Sequence, residues 1–274
     1  MSYNTYFQNL INEVDEGQYI GLGNPDAKIL FIGKEAGLEI GENIYHGTVK
    51  SWKERKFDYS KRYVPEINKL RNLNHTWQRY QKLYDNILLS LDKEEKTGKE
   101  DNYEISFIEN VFTTELSNLH APNTKDAKKQ EKFDSELKIR KNKFFKCDFI
   151  QNFPITIIFA SDKKYIETYS GEVCELFNVK FEKLHNENAK DKIWIHTDYS
   201  KEKHPRLLIH TRQLTNRITI ELIPNLCDLV VKFIKKNSID IETNKTLLPT
   251  RGVTNLGCMG YGIGSARRVF LNGG

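Results

Sequence analysis

Short apolar runs alternate along this chain with longer stretches in which apolar residues recur every three or four positions. The runs are Lys28–Gly33, Ile105–Leu116, Pro154–Ala160, Ile193–His196 and Arg206–His210. Bounded by glycine, proline or polar residues, they read as buried strands. Helical spacing covers 1–17, with Tyr6, Leu10, Ile11 and Val14 on one face. It also covers 64–96, with Ile67, Leu70, Trp77, Leu83, Ile87 and Leu91 in phase, and the segments 125–148, 166–177 and 218–236. Strands alternating with helices predict an α/β fold, a three-layer α/β/α sandwich around a mainly parallel sheet. Residues 38–63 show no clean period and read as a long functional loop.

Composition narrows this picture modestly. With 274 residues the chain can bury a substantial core as one large domain, placed at 1–245. The remainder, 246–274, is glycine-rich with few apolar anchors, and is expected to be a disordered tail or a read-through extension. Within it Gly260, Gly262 and Gly264 lack the preceding strand and following helix that a phosphate-binding loop needs. Lys and Arg number 42 against 37 Asp and Glu, a net +5 that permits a polyanionic partner without demanding one. The lysine-rich stretch 125–148 has interleaved acids, the usual mark of a solvated face. Cys147, Cys174, Cys227 and Cys258 have no C-x-x-C spacing, so neither a zinc site nor an iron–sulfur cluster is expected. No secretory leader or membrane-spanning run is visible, and a soluble cytoplasmic protein is expected.

Three segments follow predicted strands and so converge on one edge of the sheet, where open α/β folds bind ligands. In the first, Gly33-Lys34-Glu35-Ala36-Gly37, the glycines permit a tight turn and close approach of a ligand to the backbone. Glu35 stands at its mouth, suited to orienting water or opposing positive charge; its structural alternative is a turn cap. In the second, Val111 to Asn123, Glu115 sits among small and apolar residues and needs a ligand or an ion-pair partner. In the third, Ile209 to Thr215, His210 ends an apolar strand, placed either to donate a proton or to serve as a satisfied half-buried histidine.

Taken together the segments resemble the uracil-DNA glycosylase superfamily. The first is similar to its G-E-A-P-G water-activating loop, with Glu35 at the acidic position and the proline missing. The second is similar to V-Y-I-T-N-V-V-K-C-R-P-P-N, matched at Val111, Thr114, Pro122 and Asn123. The third is similar to H-P-S-P-L-S, matched at His210, Leu214 and Thr215, with Thr211, Arg212 and Gln213 departing. The resemblance spans about residues 20–235. It implies a uracil-DNA-glycosylase-like fold that acts on DNA as a monomer, without cofactor, metal or obligatory protein partner. It implies hydrolysis of the N-glycosidic bond of a flipped base, leaving an abasic site. Glu35 and His210 fall on the catalytic positions; Gly33, Ala36, Gly37, Tyr45 and Glu115 on base contacts; and Arg212, Leu214 and Thr215 on DNA contacts, Leu214 as a wedge. Trp52 and Phe57 are alternatives to Tyr45 as the ring that stacks on the base.

Glu115 is the informative departure. The family often has Asn there, which both donates and accepts. An ionised Glu only accepts, which suits the exocyclic amine of cytosine and opposes the O4 of uracil. A modified cytosine is therefore expected as substrate, such as the glucosylated hydroxymethylcytosine of phage DNA, with an antiviral role. The other readings are a repair glycosylase for uracil or a damaged base, a catalytically silent nucleic-acid-binding relative, and a nucleoside-processing α/β enzyme.

Overall fold

A computed structural model describes residues 4–37, 47–55, 75–92, 105–167, 171–187, 189–200, 204–215 and 218–241. Tyr45, Phe57, the first half of the predicted helix 64–96 and the glycine-rich tail lie outside them.

Seven strands form one sheet: β1 (Leu22–Gly23), β2 (Ile29–Gly33), β3 (Val111–Glu115), β4 (Ile155–Phe159), β5 (Lys180–His185), β6 (Ile193–Asp198) and β7 (Arg206–Thr211). Their spatial order is β1-β3-β2-β4-β7-β6-β5. The inner four, β3, β2, β4 and β7, are parallel, and β1, β6 and β5 add antiparallel. The apolar runs have thus become the parallel core, where both faces are covered and no alternation is needed: every residue of β2, β4 and β7 is buried.

Helices cover both faces. Against Leu30, Ile32, Phe112, Ile158 and Leu208 pack α1 (Thr5–Glu13), α2 (Val49–Glu54), α5 (Phe133–Lys143), α6 (Asp148–Gln151) and α7 (Glu172–Phe177). Against Ile29, Phe31, Ile157 and Ile209 pack α3 (His75–Ser90) and α8 (Leu222–Asn237), through Tyr80, Leu83, Ile87, Leu226, Val230 and Ile234. Adjacent residues of one strand point to opposite layers, so the two cores are separate. Among the described residues no helix is long and apolar enough to cross a membrane.

Several elements differ from the sequence expectation. The run Ile105–Leu116 is a strand only from Val111. Ahead of it Phe107–Glu109 is a 3-10 turn, fixed by Gln81, whose Oε1 accepts the backbone N–H groups of Ser106 and Phe107 at 2.8 Å each. The basic stretch 125–148 divides into α4 (Thr124–Ala127), α5 and α6 rather than one helix. The helix expected from 166 begins at Glu172, after Gly171 in a left-handed conformation with φ +62°. Strand β5 was not expected: its first four residues are exposed and charge-rich, and its register shifts between Phe181 and Lys183.

Arg140, on α5, is fully buried and gathers the edge of the sheet around itself. Its Nε donates to the Glu115 carbonyl at 2.8 Å, one terminal nitrogen to the Tyr19 carbonyl at 2.7 Å, and the other to Thr114 Oγ1 at 2.9 Å. The guanidinium lies 3.9 Å from the centre of the Phe144 ring. Burial lowers its pKa to about 9, still cationic at neutral pH. Arg140→Met keeps the volume and strands two buried carbonyls, a loss of about 3 kcal/mol. The melting temperature should fall by about 6–12 °C for a domain of this size. An unchanged melting curve would show that these bonds add nothing net.

Candidate active site

The carboxyl ends of β2, β3, β4 and β7 lie side by side. From β2 the chain moves to β3 on one side, and it later enters β4 on the other side of β2. Loops leaving β2 and β4 therefore diverge and open a crevice, the usual ligand position in such sheets.

The first two segments are joined beyond the ends of their strands. Leu116 N–H donates to the Gly33 carbonyl at 2.9 Å, Ser117 to Lys34 at 2.8 Å and Ala121 to Ala36 at 3.1 Å. Asn123 then caps α4, accepting the Asp126 N–H at 3.1 Å, which fixes Thr124 as the first helical residue. Lys34 Nζ donates to Thr124 Oγ1 at 2.6 Å, and the Thr124 hydroxyl donates to Glu35 Oε1 at 2.8 Å. Glu35 thus belongs to a Lys34–Thr124–Glu35 relay rather than to a turn cap. Its other oxygen, Oε2, is hidden from solvent and meets no partner among the described residues. The Tyr165 hydroxyl stands close to this carboxylate. Burial first, and Glu35 second, raise its pKa, yet among the described residues neither Tyr165 OH nor Glu35 Oε2 reaches good hydrogen-bond geometry. A small adjustment, or a ligand, would satisfy both. Gly37 is exposed, with open space around it.

Glu115 is opposite Gly33 in the β2–β3 register. Its carboxylate fills the space that a Cβ on Gly33 would take, so glycine there is a requirement of close approach. Among the described residues Glu115 forms no ion pair: the nearby Arg140 bonds its backbone carbonyl, and Glu115 Oε2 is buried with no partner there. Burial and then Glu35 raise its pKa to about 8, while Arg140 and Lys34 pull it down. The shift favours the acid form, with one O–H donor and one acceptor, over the ionised Glu115 that the sequence suggests.

His210 and Leu214 are placed differently from what the resemblance implies. His210 is fully buried, its Nε2 2.7 Å from the Ala160 carbonyl, and its ring tilts against Trp194 with centroids 5.3 Å apart. It sits at the site's floor, tying β7 to the end of β4. Leu214 is 0% exposed within the core under α3 and α8, so the expectation of a wedge is not met there: a wedge must project into solvent. Ile220, 86% exposed just ahead of α8, does project. The neighbouring Thr219 N–H donates to Asp191 Oδ2 at 2.6 Å, which anchors this segment. Trp52, an alternative stacking ring, is fully buried, and its Nε1 donates to the Gly21 carbonyl at 2.9 Å.

A cleft of about 800 Å³ reaches Lys34, the chain neighbour of Glu35. Lys34, Asp162, Lys163, Lys190, Trp194 and Arg212 line it, with Thr215 at the end of the third segment. Arg212 pairs with the buried Asp191 at 2.9 Å, and Asp162 pairs with Lys128. Sequence reasoning missed Trp194, Tyr165, Thr124 and Ile220. It also passed over His120, in the second segment, whose Nε2 is buried and without a partner. For Trp194 a signal existed: it alternates with Ile193 and Ile195, both buried, and so belongs to the other face of β6. Among the described residues no three His, Cys, Asp or Glu side chains gather as a metal site would need. No protein-family model matches this chain, and no curated protein matches it significantly.

The raised pKa of Glu115 has a signed consequence for stability. Its folded value, about 8, lies above the ordinary 4.5, so the native state keeps a proton that the unfolded chain releases across that window. The contribution is full below about pH 4.5 and is lost as pH rises to about 8, with a slope of at most about 1.4 kcal/mol per pH unit. Glu115→Gln mimics the neutral acid. Its melting temperature should gain on the native protein steadily between pH 5 and 8. A constant difference over that range would mean Glu115 is ionised in the native state.

Proposed function

We propose that this chain is a DNA glycosylase that hydrolyses the N-glycosidic bond of a base turned out of the stack. The carrying observation is the pair of carboxyl groups gathered at the crevice beside β2: Glu35 held by the Lys34–Thr124 relay, and Glu115 packed over Gly33. Burial that favours the acid form of Glu115 suits it to the acid's part in such a pair. The positively charged cleft alongside suits a phosphodiester strand.

In this reaction the C1′–N bond breaks with its electron pair leaving on the base. Positive charge develops on the sugar, which Glu35 opposes while it orients the water that adds at C1′. One proton of that water passes to Glu35 and on to solvent, and the departing base gains one in turn, from Glu115, which solvent then reprotonates. The departing base is held by Glu115, whose O–H donates to it and whose carbonyl accepts from it. Glu115 thereby takes the donor role that the sequence assigned to His210, which instead supports the Ala160 carbonyl. As an acid, Glu115 fits the ring nitrogen and amine of a cytosine-type base, and also the O4 and N3–H of uracil. The candidates are therefore a modified cytosine, glucosylated hydroxymethylcytosine among them, and uracil. No lysine is assigned a covalent role, and the product is an abasic site.

The test is incubation with DNAs carrying uracil, hydroxymethylcytosine or its glucosylated form, with mass analysis of the released base. Glu35→Gln should slow release by about 10²-fold or more, a loss of roughly 3 kcal/mol in transition-state stabilisation, while DNA binding survives. No release from any of these DNAs, or near-native release by the variant, would end this reading.

Ile220 offers the apolar side chain that fills the gap left by a flipped base. Ile220→Ala should reduce release from duplex DNA about tenfold and leave single-stranded DNA nearly unaffected. Equal effects on both would remove the wedge.

A further inference from the structure

The cleft carries more than its net charge. Lys163 lies on the loop after β4, and Lys190 and Lys192 precede β6; all three are exposed, and none forms an ion pair among the described residues. The acids nearby do not neutralise them: Asp191 is committed to Arg212 and the Thr219 N–H, and Asp162 to Lys128. Three solvated ammonium groups along one side of a cleft keep their counterions only loosely, and release them to a ligand with phosphates at successive positions.

Trp194 lines the same cleft as these lysines. It is half-buried, lines the cleft, and rests against the His210 ring, which is itself fixed by the Ala160 carbonyl. A half-buried ring that lines a cleft and is supported by a second ring is suited to stacking, and every base has a π-face to offer it. Tyr45 and Trp52 were the sequence candidates for stacking. Trp52 is interior, whereas Trp194 stands at the cleft.

We infer that this cleft is the track for one strand of DNA, with Lys163, Lys190 and Lys192 on its phosphates and Trp194 stacked on a base beside the carboxyl groups. The inference takes the identity of the ligand from the proposed function and adds the surface and the ring that hold it. A single phosphate would use one lysine and leave the others idle. The spread of three unpaired cations around an aromatic ring instead favours a polymer with a repeating charge.

The test is fluorescence anisotropy of a labelled single-stranded 12-residue oligodeoxynucleotide of ordinary bases, titrated at several salt concentrations. Three phosphate contacts give a slope of log affinity against log salt of about −2, and the Lys190→Glu/Lys192→Glu double variant should flatten it toward about −0.7 and weaken binding about tenfold or more. These side chains are exposed, so the melting temperature of the double variant serves as the control for folding. Trp194→Leu should weaken binding about tenfold, Trp194→Phe should restore most of it, and quenching of tryptophan emission by the oligonucleotide should vanish in both. Unchanged affinity and slope in the double variant would overturn the inference. So would competition by a mononucleotide as effective as that of the oligonucleotide. Because the oligonucleotide carries no candidate target base, binding is read separately from base release. Charge-dependent binding without release from any modified DNA supports the track and sinks the glycosylase reading. Release that persists with no charge dependence sinks the track alone.

Discussion

A single buried cation organises the carboxyl edge of this sheet. Arg140 reaches from α5 to the carbonyls of Glu115 and Tyr19 and to the hydroxyl of Thr114. These points lie on β3 and on the segment that leads into β1. Because the guanidinium is spent on two carbonyls and a hydroxyl, it fixes where the Glu115 main chain stands without a hydrogen bond to the Glu115 carboxyl group. A lysine could not do the same, since its donors do not form a planar fork reaching three fixed acceptors. Arg140 thus sets where Glu115 stands, while burial and the neighbouring Glu35 raise the pKa of its side chain against the pull of that same cation.

The remaining geometry follows from that placement. With the main chain of Glu115 held, its side chain comes to rest over Gly33, and the hydrogen bonds from Leu116, Ser117 and Ala121 lay the second segment along the first. Thr124 then falls within reach of both Lys34 and Glu35. Two acidic groups end up close together in surroundings of different polarity: one connected to an ammonium through a hydroxyl, the other enclosed. Their difference is a property of the loops and not of the residue types, both being glutamate.

Much of the fold was legible because the parallel strands are continuous apolar runs, and burial on both faces leaves no other use for them. What escaped was set by tertiary contact. Strand β5 reads as a polar loop because its side chains face solvent, and only pairing with β6 makes it a strand. The stretch 125–148 looks like one helix because lysines and leucines are all tolerated there, and its breaks are fixed by what Phe133 and Arg140 must reach. At the site, the positions of Glu35 and Glu115 could be read from the ends of strands β2 and β3. Leu214 and Ile220 could not be told apart, since both are apolar residues after β7 and only the packing of α3 and α8 decides which one is covered. The raised pKa of Glu115 was not legible either, because desolvation depends on neighbours far away in sequence.

The two ends of the sheet have a consequence for how this molecule meets other proteins. At one end β1 is only two residues long; at the other β5 presents Lys180, Glu182 and Lys183 to solvent, with a bulge in its pairing. Among the described residues, a very short strand at one border and charges with a bulge at the other are features that disfavour pairing with a foreign peptide as an eighth strand. Growth of fibrils along the sheet from copies of the chain, or from partly unfolded neighbours, is disfavoured by the same features. Side chains on the helical layers or the loops offer a recruited protein the easier place to dock.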